Sequence, residues 1–502
     1  MSTFYPAAVR PRQPGQLGAG STPAERTVGW CAAAAIIMSL LIMVGAGLLR
    51  QSWMPPLLPL PSAGPPWELA VHVPGRVVYV TLWIGAVLAA GGVAAGLAAV
   101  RRGLPVPWRL LLVVAAIAAA ALVLLPPIGS TDALDYAIFG HIAALGRSPY
   151  VMTPAQYQLL THLSTGVPVD WVHTRSSYGP LATAEQLAAA KLGGASLART
   201  VFWLKLWNAV AFGAVAFAAD RMMRDDAPRR MRAHLLWTLN PLLIWSFIAA
   251  GHLDILAAAI GLAGLLICDR WVTGQPWQRA LVAGLCVGAA ADIKADYLLF
   301  GLAICWALRR KPGELLIAVA GIGAVLAPSY AIVGTSALKA LAARAGTESG
   351  YGFYEFFLRP LGLSHHLADP IAIGLMLPVA WLALTRLPAG INNSQAVRAA
   401  LALSLTWLLL WPPQFAWYSV MIICVLLFYP ATRLDWIALA WLSAITIADI
   451  PGLGLGTDAR LGHALTIVQL LNNRLFAPLV MLAAAVVLVV LCCTGRWHPA
   501  KT

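Results

Sequence analysis

Residues 110–130 read LLLVVAAIAAAALVLLPPIGS, about twenty residues without a charge, and apolar runs of this kind recur along the chain. A bilayer's hydrocarbon core, about 30 Å thick, is crossed by about 20 apolar residues in a helix. Inside lipid every backbone polar group must be paired within the protein, which leaves helices or closed barrels as spanning structures. Runs this long select helices. With 60% hydrophobic and 11% charged residues, against about 25% charged in soluble domains, the chain reads as an all-α, polytopic transmembrane helical bundle.

The apolar runs place fourteen approximate spans, the first at 29–49 and the last at 475–494, so about 12–14 spans are expected. Gly- and Pro-marked segments near 250–254, 290–296 and 411–418 read as breaks or partial helices. No internal repeat is evident. Residues 1–27, polar, basic and rich in Pro and Gly, read as a disordered cytoplasmic tail. The run from Trp30 to Leu49 is too long for a signal-peptide core and reads as a signal anchor. Residues 28–495 form the integral-membrane domain, with long loops at 131–198 and 334–366, and 496–502 form a second cytoplasmic tail.

The net charge is +14. Its basic residues fall in short clusters between apolar runs, such as RMMRDDAPRRMR (221–232), as the positive-inside rule requires; no motif points to nucleic acid. With the amino terminus inside, 21 of the 34 Lys and Arg fall on the inner side and 13 on the outer side, over much longer loops. This places the odd polar residues outside. The loop segment TPAQYQLLTHLSTGVPVDWVHT has the aromatic and apolar spacing of interfacial helices. The seven cysteines lie in apolar segments and read as small core residues, with no disulfide or metal spacing.

Carboxylates next to hydrocarbon are costly and need a reason. In GSTDALDYAIFGH (129–141), Asp132, Asp135 and Tyr136 share a helix face. They read either as a helix cap or as a general base beside a substrate cavity, where one acid raises the other's pKa. His252 and Asp254 in AAGHLDILAA converge only if the helix is unwound there. Lys294, between Asp292 and Asp296, reads as a neutralised interfacial lysine or as an anion ligand, and Arg359 invites the same pair of readings. Trp417 and Tyr418 in WPPQFAWYSV read as interface aromatics or as rings that stack on a sugar.

Taken in order, STDALDYAIFGHIAALGRSPY, SSYGPLATAEQLAAAKLGG, NPLLIWSFIAAGHLDILAAAIGLAGL, AAADIKADYLL and QFAWYSV resemble the GT-C superfamily of integral-membrane glycosyltransferases, and within it the polyprenol-phosphomannose-dependent α-1,6-mannosyltransferases of actinobacterial lipomannan synthesis. The resemblance runs over about 130–420. It puts Asp132 on the catalytic Asp, with Tyr136, Gly146, Pro149 and Tyr150 in register. Tyr178 falls in the second loop, His252 and Asp254 in the third, and Lys294 on the phosphate-side lysine. Leu253, Ala416 and Ile293 stand where that family usually has Asn, Pro and Val.

The resemblance implies an inverting glycosyltransferase that moves a sugar, mannose, from a polyprenyl-phosphate donor to a lipid-linked glycan acceptor. It would act at the outer face of the cytoplasmic membrane, among membrane lipids; no cofactor is expected and no metal-ligating residues are assigned. Asp132 would deprotonate the acceptor and Lys294 would stabilise the leaving phosphate. The rivals are a secondary transporter or flippase of lipid-linked sugars, which repeats and mid-span charges would mark, and a non-catalytic envelope scaffold.

Overall fold

The computed structural model describes residues 22–49, 63–71, 73–162, 169–344, 359–362, 365–411, 414–450 and 462–498, and among these the regular elements are helices. The readings of most of the amino-terminal tail and of residues 499–502 at the end of the carboxy-terminal tail concern residues outside this set. Helix α1 (Pro23–Leu48) lies against both α2 (Gly75–Arg101) and α3 (Trp108–Leu124). Pro126 and Pro127 end that helical run, because proline lacks the N–H that would continue it, and the chain restarts as α4 (Asp132–Ala144). Three short helices follow: α5 (Pro154–Thr161), α6 (Val169–Val172) and α7 (Pro180–Gly193). A capping box between Thr153 and Gln156 fixes the start of α5. Its Leu159 and Leu160 remain exposed, an apolar face suited to a membrane interface.

Next come α8 (Leu197–Met222), α9 (Ala227–Leu236) and α10 (Pro241–Ile244). A single π-helical turn, Trp245–Ala249, leads from α10 into a 113° bend before α11 (Asp254–Cys268). Such turns recur at functional sites in helices. Gly251 makes the bend with a φ of +82°, where an L side chain is strained. Asn208 of α8 holds it by donating from Nδ2 to the carbonyls of Phe247 and His252 at 3.3 and 3.0 Å.

The second half breaks in the same way. Helix α12 (Pro276–Ile293) stops at Lys294, and one 3-10 turn, Ala295–Tyr297, opens α13 (Leu298–Leu308). Then follow α14 (Pro312–Val333), α15 (Thr335–Arg344), α16 (His365–Arg386) and α17 (Gln395–Leu410). A 3-10 turn, Ala416–Ser419, precedes α18 (Val420–Leu426) and α19 (Leu434–Asp449). Helix α20 (His463–Leu471) joins α21 (Ala477–Thr494) through a π-turn. At the extensive α12–α14 contact, a side chain at Gly284 would overlap the Ala318 carbonyl. The two backbones touch there, as small residues allow between membrane helices.

The chain divides close to the expected places. Among the described residues five helices are long and apolar enough to cross a membrane, and six if the bent pair counts as one span. Five more apolar helices have only 10–17 residues. Breaks at 250–253, 294–297 and 411–419 shorten several of the helices.

These breaks share one end of the bundle. Helices α11, α12, α17 and α18 each have one end at a break, and the opposite ends of α11, α17 and α18 are tied by charged side chains. Asp269, just after α11, accepts from the first three N–H groups of α17, those of Gln395, Ala396 and Val397, at 2.8–2.9 Å. Asp435, at the start of α19, takes Arg232 in a two-point contact at 2.6 and 2.8 Å and Arg101 at 2.9 Å. Arg232 also donates to the carbonyls of Leu426, the last residue of α18, and of Tyr429 beyond it. The arginine-rich end is thus locked, and the other end is left open.

Candidate active site

At the open end lies a cavity of 430 Å³, within the range of small-molecule sites. Asp132, Asp135, Tyr178, Lys294, Trp417 and Tyr418 line it, together with Trp171, Arg175, Arg344, Trp407, Trp411 and Phe415. It therefore holds carboxylates, cations and aromatic rings in one wall.

The segment before α4 is fixed from beneath. Lys205, fully buried in α8, donates to the carbonyls of Leu122, Leu125 and Pro126 at 2.5, 2.7 and 3.4 Å. It satisfies carbonyls that the end of α3 leaves unpaired. The Ile128 N–H bonds the Ala249 carbonyl at 3.1 Å, tying this segment to the π-turn. Ser130 Oγ accepts from the Asp132 N–H at 3.2 Å and Thr131 occupies the cap position. The Asp132 carboxylate is thereby free of capping duty, and its side chain is 24% exposed.

Two groups reach the same oxygen of Asp132. Tyr136 Oη lies 3.4 Å from Oδ2, and His252 Nδ1 lies 3.5 Å from it. Tyr136 in turn meets Tyr178, hydroxyl to hydroxyl at 3.1 Å, with the rings edge to face. Tyr178 is brought in by Gly179, whose N–H donates to the Ile293 carbonyl at 3.1 Å and where a side chain would overlap the Asp292 carbonyl. The SSYGP loop is thus clamped against the end of α12.

His252 and Asp254 flank the bend and take separate partners. Asp254 is buried and forms an ion pair with Lys294, which also lies 3.8 Å from Asp296. The Lys294 ammonium stands 4.0 Å over the Tyr418 ring. The neighbouring acid Asp292 turns away, accepting from Ser329 Oγ of α14 at 3.0 Å. Lys294 is therefore paired across the bend rather than with both of its neighbours. His252 instead stacks on Trp417, with centroids 3.9 Å apart and planes 18° apart, and Phe415 stacks on Trp417 at 4.7 Å and 6°.

The two acids of α4 diverge electrostatically. Burial pushes the Asp132 carboxyl up, but the His252 contact and the charges of Lys294 and Arg344 outweigh it and hold this group below the usual carboxylate range. Burial and the neighbouring Asp132 charge push Asp135 well above that range, and its Oδ1 has no hydrogen-bond partner. The two carboxyl groups are thus pushed in opposite directions, Asp132 towards its charged form and Asp135 towards its neutral form.

Among the described residues, most of those singled out in the sequence meet here, and Tyr150 does not. Tyr150 lies outside the cavity: its hydroxyl bonds Thr183 Oγ1 at 2.8 Å and its ring packs on Ala337 and Ala340 of α15. It braces the helix that ends in Arg344. Arg359 falls in a short turn, and its side chain is outside the described residues. Sequence reasoning missed Arg344, whose guanidinium lies 4.2 Å over the Trp171 ring, and the pair Trp407 and Trp411. It also missed Lys205 and Asn208, although polar residues inside an apolar span are a signal in themselves.

Comparison with known proteins follows the same residues. The family model described as "Alpha-(1->6)-mannopyranosyltransferase, N-terminal domain" matches residues 26–310, which include Asp132, His252, Asp254 and Lys294. A Mycolicibacterium smegmatis protein named "Probable alpha-(1->6)-mannopyranosyltransferase" is 25% identical over 239 residues, covering 42% of this chain and 43% of that protein. Alpha-(1->6)-mannopyranosyltransferase B of Corynebacterium glutamicum is 24% identical over 220 residues, covering 41% and 36%. An alpha-(1->6)-mannopyranosyltransferase of Mycobacterium tuberculosis is 28% identical over 145 residues, covering 29% and 24%. The chain thus spans less than half the length of these relatives, and no solved structure matches it. Since the family model covers more than half of its 502 residues, the chain belongs to the alpha-(1->6)-mannopyranosyltransferase family.

Proposed function

We propose that this protein is an inverting mannosyltransferase that moves mannose from a polyprenyl-phosphate donor to an α-1,6-linked, lipid-borne mannan acceptor. The observation that carries the reading is the pairing, in one cavity, of an ionised Asp132 with the cations Lys294 and Arg344. A single displacement needs a base for the acceptor hydroxyl and a cation for the departing phosphate, and no covalent nucleophile. The acceptor oxygen forms its bond to the anomeric carbon while the bond from that carbon to the phosphate oxygen breaks. The acceptor proton passes to Asp132, and the electron pair of the broken bond stays on the phosphate, where the cations offset its charge. Displacement from the opposite face inverts the anomeric centre.

The lipid donor is supported by where the site lies. Its residues share the end of the bundle opposite the arginine clusters of 101–102 and 221–232, and those clusters mark the inner side. At the outer face of a cytoplasmic membrane a sugar must arrive on a lipid. Purified protein supplied with labelled mannosyl polyprenyl phosphate and a synthetic α-1,6-mannoside will extend the mannoside, and GDP-mannose will not replace the donor. Movement of the labelled lipid across a vesicle membrane without transfer would instead favour a flippase.

A further inference from the structure

The ring stack behind the cavity has a role that its aromatic composition conceals. Trp417 carries His252 at 3.9 Å and Phe415 at 4.7 Å, both nearly parallel to it. Two rings this close and this parallel cannot share one face of an indole without overlapping. Trp417 is therefore sandwiched, and neither face is open to a sugar ring.

His252 is fixed on three sides. Its carbonyl accepts from Asn208 Nδ2 at 3.0 Å, its N–H reaches the Ser246 carbonyl at 3.3 Å, and its ring plane is set by Trp417. The remaining edge presents Nδ1, which is buried without a hydrogen-bond partner, toward Asp132 Oδ2 at 3.5 Å. Tyr136 Oη approaches the same oxygen. Both contacts fall on Oδ2, and among the described residues no hydrogen bond is made to Oδ1. From this we infer that Phe415, Trp417 and His252 form a positioning stack for the base. His252, as the Nδ1–H tautomer, and Tyr136 hold Oδ2, so that Oδ1 faces the acceptor hydroxyl and takes its proton. Trp417 acts through His252 rather than on the sugar. A rigid side chain held by packing is how a reactive group keeps its productive geometry.

This inference rests on Asp132 as the base, and the test separates the two. Transfer is measured with mannosyl polyprenyl phosphate and an α-1,6-mannoside, as kcat and KM for each substrate, on variants that elute monodisperse in detergent. Trp417→Leu should lower kcat tenfold or more and leave both KM values within about twofold, and Trp417→Phe should recover kcat to within about threefold. His252→Gln should show the same loss of kcat. Adding Trp417→Leu to it should cost less than a further twofold, because the two residues act as one unit. Phe415→Leu, which leaves Trp417 and His252 in place, gives a second reading if Trp417→Leu does not fold, with a smaller fall confined to kcat. A rise in KM with kcat intact would make Trp417 a substrate platform, and multiplicative losses in the double variant would uncouple it from His252. Either result overturns the stack while an inactive Asp132→Asn leaves the base in place. A fully active Asp132→Asn removes the base itself.

Discussion

Lys294 stands between two demands. It is the cation nearest Asp254, a carboxylate buried in the bend, and it also lines the cavity where the donor phosphate would leave. Breaking a buried ion pair by removing one partner costs about 3–5 kcal/mol, because the other charge is left unpaired. Lys294→Met should therefore lower thermal stability as well as transfer. Pairing it with Asp254→Asn removes the orphaned charge. The double variant should regain most of the stability, read by thermal unfolding in detergent, and should still lack transfer. Recovery of transfer along with stability would reduce Lys294 to a structural counter-ion. The residue types in this site were legible as a sequence of polar interruptions: Asp132, His252, Asp254 and Lys294 each break an apolar run. Which carboxylate pairs with which cation was not legible, because Asp254 and Lys294 are separated by forty residues and meet only because α11 packs against α12.

Helices at this end of the bundle are short, and α7 shows how tightly they are packed. Glu185 on α7 has both carboxylate oxygens buried without a partner, and burial pushes its carboxyl from 4.5 up to about 8. A group whose pKa is raised by folding holds more protons in the native state than in the unfolded one. Its contribution is complete below about pH 4.5, where both states are protonated, and is lost as pH rises through about 8. Wild-type stability should fall over that window, and Glu185→Gln, which keeps the shape without the proton, should flatten the fall. Equal pH dependence in both proteins would mean that Glu185 is solvated. The element pattern followed from the sequence where apolar runs were long. It marked breaks near 250–254 and 290–296 but not the turns that make them, because π-turns and 3-10 turns have no periodicity of their own and distant groups such as Asn208 hold their course.

Across the whole molecule, one end is closed by Asp269 and Asp435 and the other carries the cavity, and the proposed function puts the cavity end outside. In a cysteine-free background, Ala144→Cys, exposed at the end of α4, should react with an impermeant maleimide added to intact cells. Asp225→Cys, exposed beyond α8, should react only after permeabilisation. The reverse pattern would place the cavity on the cytoplasmic side, where a nucleotide sugar could serve as donor.

The central claim is that Asp132 takes the acceptor proton, and the most direct test compares it with its neighbour on the same helix face. Asn matches a carboxyl group in shape but takes no proton at working pH. Burial and the Asp132 charge disfavour ionisation of Asp135, so the uncharged Asn of Asp135→Asn is the milder change. Asp132 is held ionised, so Asp132→Asn removes the base, a loss typically worth 10²- to 10⁴-fold in rate. Single-turnover transfer from labelled mannosyl polyprenyl phosphate should fall by at least about 10² in Asp132→Asn with donor binding retained, while Asp135→Asn stays within about threefold of wild type. Near-normal turnover by Asp132→Asn, or loss confined to Asp135→Asn, would contradict the assignment.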